Sequence, residues 1–150
     1  INGNVLATNG SGALFWKSNS SSLIIPLFHG SAVTTNVATN VTTSGFTWTQ
    51  SRYGTGGSVP MSTTGQFVYN YTSTATPGTR SLTVAIWNET TGAALATETI
   101  PAASILLFET RTLSFTPPTA DAHIVLRVSK SATNGETITV RSCHMELTPI

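Results

Sequence analysis

The side chains best suited to contact a ligand are tryptophans that the strand pattern directs away from an apolar face. In the segment Arg80 to Asn88, Leu82, Val84 and Ile86 share one face, so Trp87 lies on the other. An indole outside a core can stack on the C–H face of a pyranose ring, and it can also pack under a loop or in a subunit interface. The sequence leaves both uses of Trp87 open.

A second candidate site lies in the segment Phe46 to Tyr53, which alternates as a strand does. The alternation predicts that Trp48, Gln50 and Arg52 share one face. Burying Gln50 and Arg52 without partners is costly, which favours an open face with Trp48 as a stacking ring. If Trp48 is instead in the core, a bulge must redirect the residues that follow it.

The tyrosines are less clear candidates. Tyr69 and Tyr71 share a face with Phe67, which favours the core for both. Tyr71 is also kept as a candidate carbohydrate-binding residue, since its ring could stack on a sugar. Trp16, near the start of the chain, could serve in a core or in a site.

Catalytic and metal-binding patterns are absent from the sequence. The acidic residues are scattered, with no spacing that pairs them as glycoside hydrolysis requires, and the three histidines are isolated. There is no Gly-X-Ser-X-Gly motif, no phosphate-binding glycine loop and no zinc spacing. Cys143 is the one cysteine and is expected to be a small buried hydrophobe. We therefore predict no enzyme activity, no cofactor and no metal.

Composition restricts the class of partner. Charged residues are 9% of the chain and the net charge is +1, with Thr and Ser in the place of charges. Nucleic-acid binding needs a clustered basic patch, which is absent, and no apolar stretch is long enough to span a membrane as a helix. The chain opens at Ile1 with no initiator Met and no signal peptide, so we expect a processed start or a piece of a longer protein.

The elements that position these side chains are strands. From Arg80 to Leu147 the chain is a succession of alternating segments and turns, including a Glu89 to Gly92 turn and an Asn134-Gly135 pair typical of a two-residue hairpin. Strands at this spacing predict an all-β protein, an antiparallel β-sandwich of the jelly-roll type. A seven-stranded immunoglobulin-like sandwich is the nearest alternative.

The first 44 residues are harder to interpret. Residues 1–44 are expected to form N-terminal strands or an extended arm of the same domain, and residues 45–150 the jelly-roll core. Pro26 cannot donate to a strand ladder, which indicates an edge, a bend or a bulge there.

From Gly45 onward the order of features resembles the jelly-roll carbohydrate-binding modules of the cellulose- and xylan-binding type, in the galactose-binding-like superfamily. The matching segments are Phe46-Thr-Trp48-Thr-Gln50, Gln66 to Ala75, Arg80 to Ile86, Leu113-Ser-Phe115-Thr-Pro117, Ile124 to Val128, and Ile138 to Leu147. The likeness covers about two thirds of the chain. The acidic opening and the closing Asp that such modules often carry are missing, and Arg141-Ser142-Cys143 stands where the Asp is usual. A structural calcium is therefore not carried over.

Two functions follow as expectations. The resemblance implies a non-catalytic module of a secreted or virion-associated protein that binds a polysaccharide or glycan through Trp87, Trp48, Gln50, Arg52 and Tyr71. The alternative is a structural virion protein, such as a phage capsid decoration, fibre or tail module, whose partners are further copies of itself or other virion subunits. Low charge favours close packing of many copies, and a polar arm can become ordered on a neighbour. Both functions place the chain outside the cell or on a virion surface.

Overall fold

The chain folds into two antiparallel sheets that face each other. A computed structural model describes residues 4–8, 14–18, 22–28 and 33–150, with side chains described for 22–28 and 35–150. The strands are β1 (Asn4–Thr8), β2 (Leu14–Ser18), β3 (Leu23–Pro26), β4 (Val33–Thr35), β5 (Val41–Thr42), β6 (Phe46–Trp48), β7 (Met61–Ser73), β8 (Leu82–Asn88), β9 (Ala93–Ile100), β10 (Phe108–Phe115), β11 (Ala122–Lys130) and β12 (Ile138–Pro149). Two short helices, α1 (Gln50–Tyr53) and a 3₁₀ turn (Ala102–Ser104), interrupt them.

The strand order is that of a jelly roll. Sheet 1 runs β10-β7-β12-β3, with β4 also paired to β12, and sheet 2 runs β5-β11-β8-β9, with β6 also paired to β11. β3 with β4, and β5 with β6, can each be counted as one interrupted strand, which gives eight strands in chain order from β3 to β12. Sheet 1 then has the order 1-8-3-6, and sheet 2 has the order 2-7-4-5. This arrangement of eight strands confirms the predicted jelly roll and excludes the immunoglobulin-like alternative.

Alternation of apolar and polar residues explains the core. On sheet 2, Leu82, Val84 and Ile86 are fully buried, as are Ile124, Leu126 and Val128. On sheet 1 the inner face carries Phe67, Tyr69, Tyr71, Ile138, Val140, Cys143, Met145 and Leu147. A register shift between Val140 and Ser142 leaves two successive exposed residues and returns Cys143 to the inner face. The predicted burial of Cys143 is confirmed.

The N-terminal third contributes to both sheets. β3 and β4 pair with β12, and β5 pairs with β11, so the sandwich begins well before residue 45. β3 ends at Pro26 on the edge of sheet 1, where a missing N–H does not break a ladder. β1 and β2 form a separate antiparallel pair. Trp16 lies in β2, and its side chain is outside the described residues.

The expected Asn134-Gly135 hairpin is wrong, because the strands on either side of it belong to different sheets. β11 is in sheet 2 and β12 is in sheet 1, so the connection crosses from one layer to the other. Among the described residues positive φ occurs only at Gly45 and Gly92, whereas the expected turn type needs it at both central residues.

A buried lysine accounts for this connection. Lys130 continues the inward row of β11 and is 3% exposed, so its ammonium needs partners inside the protein. The loop folds back so that the ammonium donates to the Asn134 side-chain oxygen and the Glu136 carbonyl, and it lies 3.6 Å from the Glu136 carboxylate. Asn134 is therefore a hydrogen-bond partner of Lys130 rather than a hairpin residue.

In the part of the chain that the structure describes, no helix is long and apolar enough to cross a membrane.

Replacing Lys130 by Met should lower the free energy of unfolding by about 3–5 kcal/mol, since it leaves the Glu136 carboxylate buried without its counter-charge. Urea denaturation followed by tryptophan fluorescence measures the change. As a control, Arg141→Met on the exposed outer side of β12 should change stability by less than about 0.5 kcal/mol. Equal losses in the two variants would contradict a stabilising role for the buried pair.

Candidate functional site

Trp87 lies on the outer face of sheet 2, as its position in the strand pattern predicts. It is partly exposed, whereas its neighbours Ile86 and Asn88 are buried. In the register it lies opposite Val125 of β11 and Ala94 of β9. Val125 is only 1% exposed although it points outward, so side chains cover the sheet at this point.

Arg127 stacks on Trp87. Its guanidinium carbon is 4.0 Å from the centre of the indole ring, a cation–π contact on the same outer face. In this arrangement the indole N–H of Trp87 and the Nε–H of Arg127 are both buried and have no hydrogen-bond partner among the residues that the structure describes. Each buried donor without a partner costs about 1–3 kcal/mol. The stack therefore holds two unsatisfied donors side by side.

A glutamate and a histidine flank the stack. One Glu89 carboxylate oxygen lies 3.9 Å from an Arg127 nitrogen, and the other lies 3.9 Å from Nε2 of His123. These distances are too long for hydrogen bonds. Along the same face, the hydroxyls of Thr83 and Thr99 bond to each other at 3.1 Å. The surface around Trp87, Arg127, Glu89 and His123, which we call the Trp87 face, combines one indole with several hydrogen-bonding groups.

Trp48 is in the core, and the prediction that it shares an open face with Gln50 and Arg52 is wrong. It is 1% exposed, and its ring centre is 5.1 Å from that of Tyr53, so it offers no open ring to a sugar. The predicted strand Phe46–Tyr53 ends at Trp48, and α1 begins two residues later. The change to a helical turn, rather than a bulge, redirects Gln50 and Arg52.

Gln50 connects α1 to the loop between β10 and β11. Its backbone N–H donates to the Asp121 carboxylate at 2.7 Å, and its side-chain amide donates to the Pro118 carbonyl at 2.8 Å. Arg52 is exposed, with its guanidinium 5.3 Å from the Tyr53 ring centre. Gln50 thus positions the loop between β10 and β11 against α1.

α1 and the β10–β11 loop border a cleft of about 230 Å³ at one end of the sandwich. Its lining includes Trp48, Gln50, Tyr53, Ser62, Thr63 and Thr116. The indole N–H of Trp48 is buried without a partner. The cleft has hydroxyl and amide groups but no exposed aromatic face, so it can bind small polar groups by hydrogen bonds rather than by stacking.

Tyr71 is also in the core, which confirms the favoured assignment of the tyrosines and removes Tyr71 as a stacking ring. It is fully buried, and its hydroxyl donates to Glu109 at 2.7 Å. Tyr69 is 1% exposed and donates to Glu98 at 2.7 Å. Both predicted core positions therefore keep their hydroxyls bonded at the edge of the apolar layer.

Arg111 joins the two glutamates, which the sequence showed only as scattered acids. It donates to Glu98 on β9 through Nε at 2.9 Å and NH2 at 2.6 Å, and to Glu109 through NH1 at 2.7 Å. β9 and β10 are the edges of different sheets, so no local spacing in the sequence could have brought these charges together. The cluster ties the two sheets at one side of the sandwich.

Burial and hydrogen bonding set the pKa values of this cluster. Burial, with the Glu98 and Glu109 contacts, raises the pKa of Tyr69 well above its usual range and that of Tyr71 to about 12. For Glu98, burial acts to raise the pKa, but the bonds from Arg111 and Tyr69 outweigh it and lower the pKa. The carboxylate of Glu98 is thus held ionised as a partner of Arg111.

Among the residues that the structure describes, no group of three or more His, Cys, Asp and Glu side chains is placed to hold a metal ion.

Comparison with known proteins gives distant likenesses in fold. No protein-family model matches the sequence, and a search of curated proteins finds no match. Among solved structures, the C-terminal CBM6 of LamC, a laminarinase from the marine Zobellia galactanivorans, is 8% identical with a TM-score of 0.47, over 83% of this chain and 98% of that one. The carbohydrate-binding module CBM6cm-2 from Cellvibrio mixtus lichenase 5A, in complex with cellotriose, is 11% identical with a TM-score of 0.37, over 96% of this chain and 86% of that one.

Acid should weaken the fold through Glu98 and Glu136. Burial raises the pKa of Glu136 too, but the Thr79 N–H and hydroxyl, Lys130 and Asn134 outweigh it and lower the pKa. A folded-state pKa below the unfolded value of about 4.3 gives stability that is present above that value and lost as the pH falls through the folded pKa. The urea midpoint should therefore fall steadily below about pH 4.3.

Glu136→Gln separates this effect from general acid denaturation. It should be less stable than the parent chain at pH 6, and the difference should shrink as the pH falls, because the parent's carboxylate then becomes neutral too. Thr110→Ala, an exposed change with no titrating group, should show a pH-independent difference. A Glu136→Gln difference that stays constant down to pH 2.5 would contradict the assignment.

Proposed function

We propose that this chain is a non-catalytic, carbohydrate-binding β-sandwich domain that holds its ligand on the Trp87 face. The observation that carries the proposal is the position of Trp87, a partly exposed indole outside the core and beside hydrogen-bonding side chains. An indole supplies the flat apolar surface that the C–H face of a pyranose needs, and the neighbouring groups can bond to ring hydroxyls.

Four other aromatic side chains on the sheets are less suited to this role. Trp48, Tyr69 and Tyr71 are each at most 1% exposed, so none can stack on a sugar. Phe108 is 58% exposed, but it lies at the start of β10 beside two other exposed apolar residues. Trp87 combines a partly exposed ring with Arg127, Glu89 and His123.

The non-catalytic part of the proposal is supported by the state of the acids. Glu98 and Glu109 are two carboxylates that share one hydrogen-bond donor, Arg111. Each also accepts a hydrogen bond from a tyrosine hydroxyl. Glycoside hydrolysis needs one carboxylic acid free to donate a proton and one free to act as base or nucleophile. Two carboxylates held by the same guanidinium do not meet that need.

Trp87→Ala should weaken binding to a glycan identified on an array by about tenfold or more, since it removes the stacking surface. Isothermal titration calorimetry measures the change. Phe108→Ala is the matched control, an exposed aromatic on the other sheet, and should bind as the parent does. If filling the end cleft with Ser62→Trp removes binding while Trp87→Ala does not, the site is the cleft and not the Trp87 face.

A second candidate function is subunit contact in a larger assembly, such as a virus particle. Leu106, Leu107 and Phe108 are consecutive and are 49%, 55% and 58% exposed, an apolar run on an otherwise hydroxyl-rich surface. Exposed apolar patches on soluble domains are typical of contact sites. Under either function we propose a secreted or virion-surface location.

Subunit contact has its own test. If Leu106–Phe108 joins copies of this chain, size-exclusion chromatography with light scattering should show an oligomer that Leu107→Asp converts to monomers. Ile24→Asp, which changes a 57% exposed residue on β3, should leave the oligomer intact. A parent chain that is monomeric at high concentration would remove the support for this function.

A further inference from the structure

We infer that Arg127 is a movable cover on Trp87 and that the Trp87 face selects saccharides carrying a carboxylate, that is, chains containing uronic acid. This inference rests on the proposed carbohydrate function and names its ligand class. It follows from how loosely Arg127 is held, from which donors the stack leaves unpaired, and from the shape of the group that could satisfy them.

Arg127, on the outer face, is loosely held when compared with Arg111, which bonds to carboxylates between the sheets. Arg111 makes three hydrogen bonds of 2.6–2.9 Å to two carboxylates. The carboxylate nearest Arg127 is that of Glu89, 3.9 Å from its NH2, and it is equally far from His123. The contact that keeps Arg127 in place is therefore its stack on the indole, 4.0 Å from the ring centre.

The stacked arrangement leaves donors without acceptors. Nε of Arg127 and Nε1 of Trp87 are buried and have no acceptor within the described part of the chain. The side chain of Arg127 is 26% exposed, so the stacked guanidinium is next to solvent. Moving the guanidinium off the ring would free one face of the indole and expose both N–H groups. A ligand that supplies acceptors and a flat apolar face at once would satisfy all of these groups.

A uronic acid has both features. Its ring offers a C–H face to the indole, and its carboxylate matches the paired N–H geometry of a guanidinium, which a sugar hydroxyl does not. The carboxylate that faces Arg127 is that of Glu89, which also lies 3.9 Å from Nε2 of His123. A bound carboxylate would replace Glu89 as the nearest anion to Arg127, so Glu89 competes with the ligand.

The test compares one oligosaccharide in two charge states: trigalacturonate and its fully methyl-esterified form, titrated calorimetrically into the intact chain. The parent should bind the acid at least about tenfold more tightly than the ester, the range for a hydrogen bond to a charged group. Arg127→Gln should remove this preference, so that the variant binds the acid and the ester with equal affinity. Glu89→Gln should tighten binding of the acid two- to fivefold.

Arg141→Gln is the control, because Arg141 is an exposed arginine on the outer side of sheet 1 whose Nε donates to Thr72. This variant should bind the acid and the ester as the parent does. Equal binding of acid and ester by the parent overturns the inference, as does an acid preference that survives in Arg127→Gln. In either case, neutral-glycan binding that depends on Trp87 leaves the proposed function standing. Absence of all glycan binding overturns both.

Discussion

The apolar layer between the two sheets is the constraint on which the other features of this chain depend. Because side chains alternate along a strand, filling that layer with Leu82, Val84 and Ile86 directs Trp87 outward. The same rule applied to β11 places Arg127 on the outer face, two residues beyond the position opposite Trp87. The cation–π stack thus follows from how the core is built, and the Trp87–Arg127 pair needs no loop to position it.

The strands and the fold class could be predicted from the sequence because period-two alternation is a local signal. The Glu89 to Gly92 turn was accessible from its local turn residues. The burial of Cys143 was predictable from its apolar character rather than from alternation, because a register shift after Val140 returns it to the inner face. The Asn134-Gly135 hairpin was predicted from a local turn signature, but tertiary contacts determine the conformation of this segment. Satisfying the buried ammonium of Lys130 determined the course of that loop. Alternation along β11 directs Lys130 inward, but no local pattern shows that Asn134 and Glu136 fold back to bond to it.

The candidate site divides in the same way. The outward direction of Trp87 follows from its own strand and was predictable. The direction of Trp48 was not, because the residues after it form a helical turn whose contacts, from Gln50 to Asp121 and Pro118, lie about 70 residues away in the chain. The stack of Arg127 on Trp87 and the bonds of Arg111 to Glu98 and Glu109 likewise join different strands. The sequence shows the residues of both clusters, but which of them come into contact depends on how the strands pair and how the two sheets pack.

The arrangement of Glu109 and Arg111 has a consequence for how this domain behaves at high concentration. β10 is an edge strand of sheet 1, and an open edge is a template for pairing with another chain. Charged side chains that point inward from an edge oppose such pairing, because a strand added beside them would bury their charges in an extended sheet. The bridge to Glu98 therefore also protects the sandwich against edge-to-edge aggregation. Copies that meet at this side of the sandwich would therefore contact each other through faces or loops and would not extend sheet 1 beyond β10.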